Sequence, residues 1–82
     1  MISNETILYN YEQMKKESLK ETLQEIYNTL EENGYDPLNH LSGYILTGDP
    51  TYIPRMNDSR IKITKYDREE LLIELLGNYI AK

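Results

Sequence analysis

Glu32-Asn33-Gly34-Tyr35-Asp36-Pro37 closes one helix and opens the next, and the reading of the fold grows outward from it. Gly34 suits the left-handed position just past a last helical turn, where a side chain is disfavoured. Asp36 offers a carboxylate to the orphan amides of a new helix. Pro37 then takes the first helical position, where its missing N–H is harmless.

Upstream, Leu19, Leu23, Ile26, Tyr27 and Leu30 recur at the spacing of one helical face. Ser18-Leu19-Lys20-Glu21 has the form of a capping box, so the first helix is expected to begin at Ser18. Residues 1–17 show no sustained apolar period and read as a flexible N-terminal tail, with Thr6 exposing its hydroxyl.

Downstream, Leu38, Leu41, Ile45 and Leu46 are the expected inner stripe of a second helix. Gly43 permits close approach of a neighbour, and Thr47-Gly48 ends the helix. Two helices joined by a Gly-containing connector give a helix-turn-helix-like outline, shared by any helical hairpin. Asp49, Pro50 and Pro54 then shape a stiff loop that delivers Arg55 to the edge of a basic segment. Asn57-Asp58-Ser59 offers a cap for a short helix from Ser59 to about Tyr66, anchored by Ile61 and Ile63. Asp67-Arg68-Glu69-Glu70 opens a last helix in which Leu71, Leu72, Ile73, Leu75, Leu76, Tyr79 and Ile80 cover more than one stripe. So broad an apolar surface in so short a chain implies a second copy as cover. The expectation is an all-α homodimer in two parts, a tail (1–17) and a helical dimerisation and partner-binding domain (18–82).

Composition narrows the chemistry. An 82-residue chain is one small domain. It has no Cys and one His, so thiolate sites are excluded and an imidazole cluster would need a second chain. With neither a signal-like N-terminus nor a run long enough to span a bilayer, a soluble cytoplasmic protein is expected, without membrane insertion. His40 has no nucleophile to partner, and Glu31-Glu32 and Glu69-Glu70 diverge around their helix axes. Gly43 to Gly48 lacks the Gly-Lys-Ser/Thr ending of a phosphate loop. No enzyme, metal or cofactor is expected.

Charge is segregated. Residues 1–36 carry eight acids against three lysines, whereas residues 53–68 carry Arg55, Arg60, Lys62, Lys65 and Arg68 against two aspartates. The basic segment can pair with the acidic first helix or serve an acidic partner. A small DNA-binding helix-turn-helix dimer is the alternative. Its reading helix, however, would offer bases only Asn39, His40 and Ser42, so no nucleic acid is expected.

From about Thr6 to Tyr79 the chain resembles the IreB/ReoM family of small cytosolic regulators in Gram-positive bacteria. The resemblance is carried by Glu32-Asn33-Gly34-Tyr35-Asp36-Pro37, Gly43-Tyr44, Gly48-Asp49-Pro50-Thr51-Tyr52-Ile53-Pro54-Arg55, Arg60 and Tyr66-Asp67-Arg68-Glu69-Glu70. Thr64 and His40-Leu41 depart from the family pattern, the first thinning the basic surface. The resemblance implies an all-helical, intertwined homodimer phosphorylated by a PASTA-domain Ser/Thr kinase and reversed by a cognate phosphatase. The position matching the phosphoacceptor is Thr6. The unphosphorylated form is then expected to restrain peptidoglycan synthesis by promoting Clp-dependent degradation of UDP-N-acetylglucosamine enolpyruvyl transferase. That restraint would influence resistance to cell-wall antibiotics. Arg55, Arg60, Lys65 and Arg68 are expected to face the Clp system, its adaptor or the target.

Overall fold

The computed structural model describes the backbone of residues 4–81 and the side chains of residues 18–81. Its elements are α1 (Asn4–Glu32), α2 (Pro37–Thr47), α3 (Ser59–Ile63) and α4 (Arg68–Ile80), with 3-10 turns at Pro50–Tyr52 and Met56–Asp58 between α2 and α3. The chain is all-α, with no strand among the described residues.

The start of α1 corrects the expectation at Ser18: the backbone is helical from Asn4 onward. Neither Gly nor Pro interrupts residues 4–32, and Glu, Gln, Lys, Met and Leu there are good helix formers. A capping box marks a helix start only where the chain before it is not already helical. The end of α1 is as read. Gly34 has φ +82°, Tyr35 N–H donates to the Leu30 carbonyl at 3.0 Å, and Gly34 N–H donates to that of Glu31 at 3.1 Å. This paired arrangement satisfies two carbonyls that would otherwise be orphaned.

Both ends of α2 also follow the sequence. Asp36 accepts from Asn39 N–H at 3.3 Å, and Gly48, at φ +74°, donates to the Tyr44 carbonyl. The inner stripe differs from expectation. Leu38 and Leu46 are exposed, while Tyr44 is buried and Leu41 and Ile45 are partly buried. Residues 41, 44 and 45 share the face that meets the core and Leu46 lies off it, whereas Leu38 has the angle of Ile45 but stands exposed in the first turn.

Every element supplies the core: Leu19, Ile26 and Leu30 from α1, Tyr44 from α2, Ile53 from the loop, Ile63 from α3 and Leu71 from α4. Full burial of one such aliphatic side chain is worth about 1.5–3 kcal/mol. Ile61, expected as an anchor, is exposed, because the five residues of α3 turn only one face inward. Asn57 and Asp58 both have φ +56°, a conformation that disfavours side chains other than those of Asn and Asp. Asn57 is tied down by donating through Nδ2 to Oγ1 of the buried Thr29 at 3.0 Å. The expected caps at Asp58 and Asp67 hold their positions but make no side-chain cap bond.

Gly43 is where the Pro50–Tyr52 turn lies on α2. A Cβ there would stand 2.5 Å from Tyr52 Cε1, so the ring occupies the space a side chain would need. Gly43→Ala should therefore be neutral to destabilising in the native background. With Tyr52→Ala the same change should stabilise by about 0.5–1 kcal/mol, the usual gain of Ala over Gly inside a helix. Denaturant melts of the four proteins in a double-mutant cycle read the sign, and an unchanged effect of Gly43→Ala in both backgrounds would show that the ring and the glycine are independent.

Candidate functional site

The basic segment is the candidate site, and the fold divides its cations into two kinds. Arg60, at the start of α3, donates through Nε to the Ile53 carbonyl at 3.0 Å. That bond ties the loop to α3 just where Ile53 enters the core. Lys62 Nζ reaches Glu25 Oε2 on α1 at 2.9 Å. Arg68 donates through Nη1 to the Ile45 carbonyl near the end of α2 at 3.1 Å. Arg55 and Lys65 are exposed, and among the described residues neither is held by a hydrogen bond or ion pair. The sequence grouped these cations by their spacing, whereas the structure separates those bonded to the chain's own groups from those without such a bond.

The Lys62–Glu25 pair realises the attraction between the basic segment and acidic α1. Both side chains are well exposed, so the pair adds at most about 1 kcal/mol. It stands at the edge of an open groove of about 500 Å³ between α1 and the Met56–Asp58 turn, where Glu25, Glu32 and Asp58 face Thr29, Asn57 and Lys62. The groove brings no nucleophile and base together. Among the described residues no cluster of His, Asp and Glu is arranged to hold a metal ion, and no helix is long and apolar enough to cross a membrane.

Thr64, in the position where a further cation would thicken the surface, bonds back to the Arg60 carbonyl at 2.9 Å and closes α3. Asn39 and His40, the groups available for reading bases, are occupied at the start of α2. Asn39 Nδ2 donates to Asp36 Oδ2 at 2.8 Å, and His40 Nδ1 lies 3.0 Å from the Asp36 carbonyl. The His40 ring sits between Tyr35 and Tyr52, its centroid 5.0 Å and 6.3 Å from theirs. This is the geometry of a packed aromatic cluster.

Ahead of Arg55, the loop is preorganised by Asp49. Its Oδ1 accepts from Thr51 N–H at 2.9 Å and from Thr51 Oγ1 at 2.7 Å, and Asp49 N–H donates to Thr47 Oγ1 at 3.1 Å. Pro50 follows as the first residue of the turn. The Thr51 hydroxyl and then its amide hold the Asp49 carboxyl below its ordinary value, with Arg60 adding a smaller attraction. Sequence spacing identified the turn but not this bond, although an Asp two residues before a Thr is the local signal for it. Thr6 lies in the first turn of the α1 backbone, and its side chain is outside the described residues.

Against this geometry stands a family match. The chain matches the model of the IreB regulatory phosphoprotein family over residues 4–81 and belongs to that family. It is accordingly a regulatory phosphoprotein by family.

The Asp49 contact has a pH signature. A carboxyl whose folded pKa is lowered contributes its stabilisation above the unfolded value, about 3.9, and loses it as pH falls through the folded pKa. An NMR titration should place the Asp49 midpoint below that of an unperturbed aspartate. Thr51→Val, which deletes the hydroxyl donor, should move it upward. An Asp49 midpoint identical in the two proteins would remove Thr51 from the account.

Proposed function

We propose that this protein is a phosphorylation-controlled restraint on peptidoglycan synthesis. In this reading the unphosphorylated form promotes Clp-dependent degradation of UDP-N-acetylglucosamine enolpyruvyl transferase, and so influences resistance to cell-wall antibiotics. The observation that carries the reading is membership of a family of regulatory phosphoproteins across nearly the whole chain. A PASTA-domain Ser/Thr kinase places phosphate on Thr6 and a cognate phosphatase removes it. The protein acts in the cytoplasm without catalysing a reaction.

Physical chemistry supports the parts of this scheme. Phosphate on Thr6 adds close to two negative charges and three acceptor oxygens. That charge repels the acidic groups of a partner, so modification weakens the partner's hold. Arg55 and Lys65 suit partner contact because they are exposed and unheld. Arg60 and Arg68, which are bonded to the chain's own carbonyls, are the other two cations proposed for partner contact. A second copy of the chain is the proposed cover for α4, where Leu72, Ile73, Leu75, Leu76, Tyr79 and Ile80 are all exposed.

Incubation with the host kinase followed by mass spectrometry should place phosphate at Thr6, and phosphate found only beyond residue 17 would overturn the switch. Arg55→Glu should abolish regulatory activity in cells and leave the melting temperature within about 4 °C, as surface substitutions in a domain of this size do. Full activity of that variant would remove Arg55 from the partner surface.

A further inference from the structure

Arg68 occupies an electrostatically awkward position. As the first residue of α4 it puts a cation at that helix's positive end, where acidic residues such as the following Glu69 and Glu70 belong. Its surroundings explain the placement. The guanidinium reaches the end of α2, whose last turn carries no basic residue of its own, and donates to the Ile45 carbonyl at 3.1 Å. A cation there meets the negative end of the α2 dipole and one of the carbonyls left without an amide partner.

A second observation concerns the space that the same guanidinium fills. A Cβ on Gly48 would stand 2.8 Å from Arg68 Cζ and 3.0 Å from Nη2. Gly48 therefore answers to two demands, the left-handed backbone that ends α2 and the space filled by the guanidinium. A third concerns α4, whose thirteen residues place a single buried side chain, Leu71, in the core. One buried apolar side chain fixes a point on a helix better than its direction, so a charged contact one turn from it adds to what sets the angle.

We propose that Arg68 is a positioning residue that latches α4 to the C-terminal end of α2, with Gly48 as its seat. The latch aims the exposed face of α4 at a fixed angle. Arg68 acts on whatever covers that face through the set of the helix, in addition to any contact its remaining N–H groups make. The consequence for self-association rests on the dimer reading above, and the latch itself does not.

Amide hydrogen exchange on the full chain tests the latch, comparing the native protein with Arg68→Ala, Arg68→Lys and Gly48→Ala. Lys20→Ala, which removes a charge from the exposed side of α1, is the control for charge alone. Arg68→Ala and Gly48→Ala should speed exchange across residues 69–80 roughly five- to tenfold, as loss of a charged helix-end contact allows. Arg68→Lys, which keeps the charge and a donor group, should fall between, with residues 19–30 unchanged in the Arg68 variants and Lys20→Ala silent. Gly48→Ala, strained also by its left-handed backbone, is judged by whether residues 69–80 accelerate more than residues 19–30. Native exchange over residues 69–80 in Arg68→Ala, or acceleration spread equally over residues 19–30, overturns the latch. Sedimentation of the same proteins separates the two ideas. If the native chain associates, Arg68→Ala should weaken that association, and unchanged association counts against the aiming role. A native chain that stays monomeric defeats the dimer reading while the exchange data still judge the latch.

Discussion

The structure depends on the burial of Ile26 and Leu30 of α1 against Ile53, Ile63 and Leu71. These five side chains are fully buried, and three of them come one each from the loop, α3 and α4. A chain of 82 residues has little surplus apolar surface, and among the described residues only Leu23, Leu41, Ile45 and Tyr66 pack as partly buried neighbours around the core. That scarcity explains why polar side chains do so much of the positioning. Arg60 holds the loop by the Ile53 carbonyl, Asn57 holds the left-handed turn by Thr29, and Arg68 holds α4 by the Ile45 carbonyl.

What could be read from the sequence was mostly local. Asp36, Pro37, Gly34 and Gly48 each act within a few residues of themselves, and their roles follow from backbone geometry alone. Gly43 was legible as a close approach, though the Tyr52 ring as its neighbour was not. The capping box at Ser18 misled because its pattern is local, while helix continuity from Asn4 is a property of the whole segment. Leu38 is exposed and Tyr44 buried because tertiary packing, not hydropathy, selects which turns and which edge of the stripe are covered. Ile53 was invisible as a core residue because a loop has no period to reveal it.

The candidate site was legible as a cluster of charge and not as a division of labour. Spacing alone treats Arg55, Arg60, Lys65 and Arg68 as equivalent. In the fold, Arg60 and Arg68 reach backbone carbonyls, Arg68 while still exposed, and Arg55 and Lys65 are exposed without such a bond. The carbonyls concerned lie seven and twenty-three residues away, beyond the reach of any sequence motif. Loss of function on replacing a basic residue here can thus arise from a misplaced element as readily as from a lost contact.

The family match makes this chain a regulatory phosphoprotein, and the proposal gives that regulation a direction and a target. The most direct measurement is the half-life of the enolpyruvyl transferase in living cells after synthesis is stopped. It would be compared among cells with the native protein, cells lacking it, and cells carrying Thr6→Ala. The account predicts a longer half-life without the protein and a shorter one with Thr6→Ala, both differences vanishing when Clp proteolysis is disabled. The same half-life in all three would contradict it.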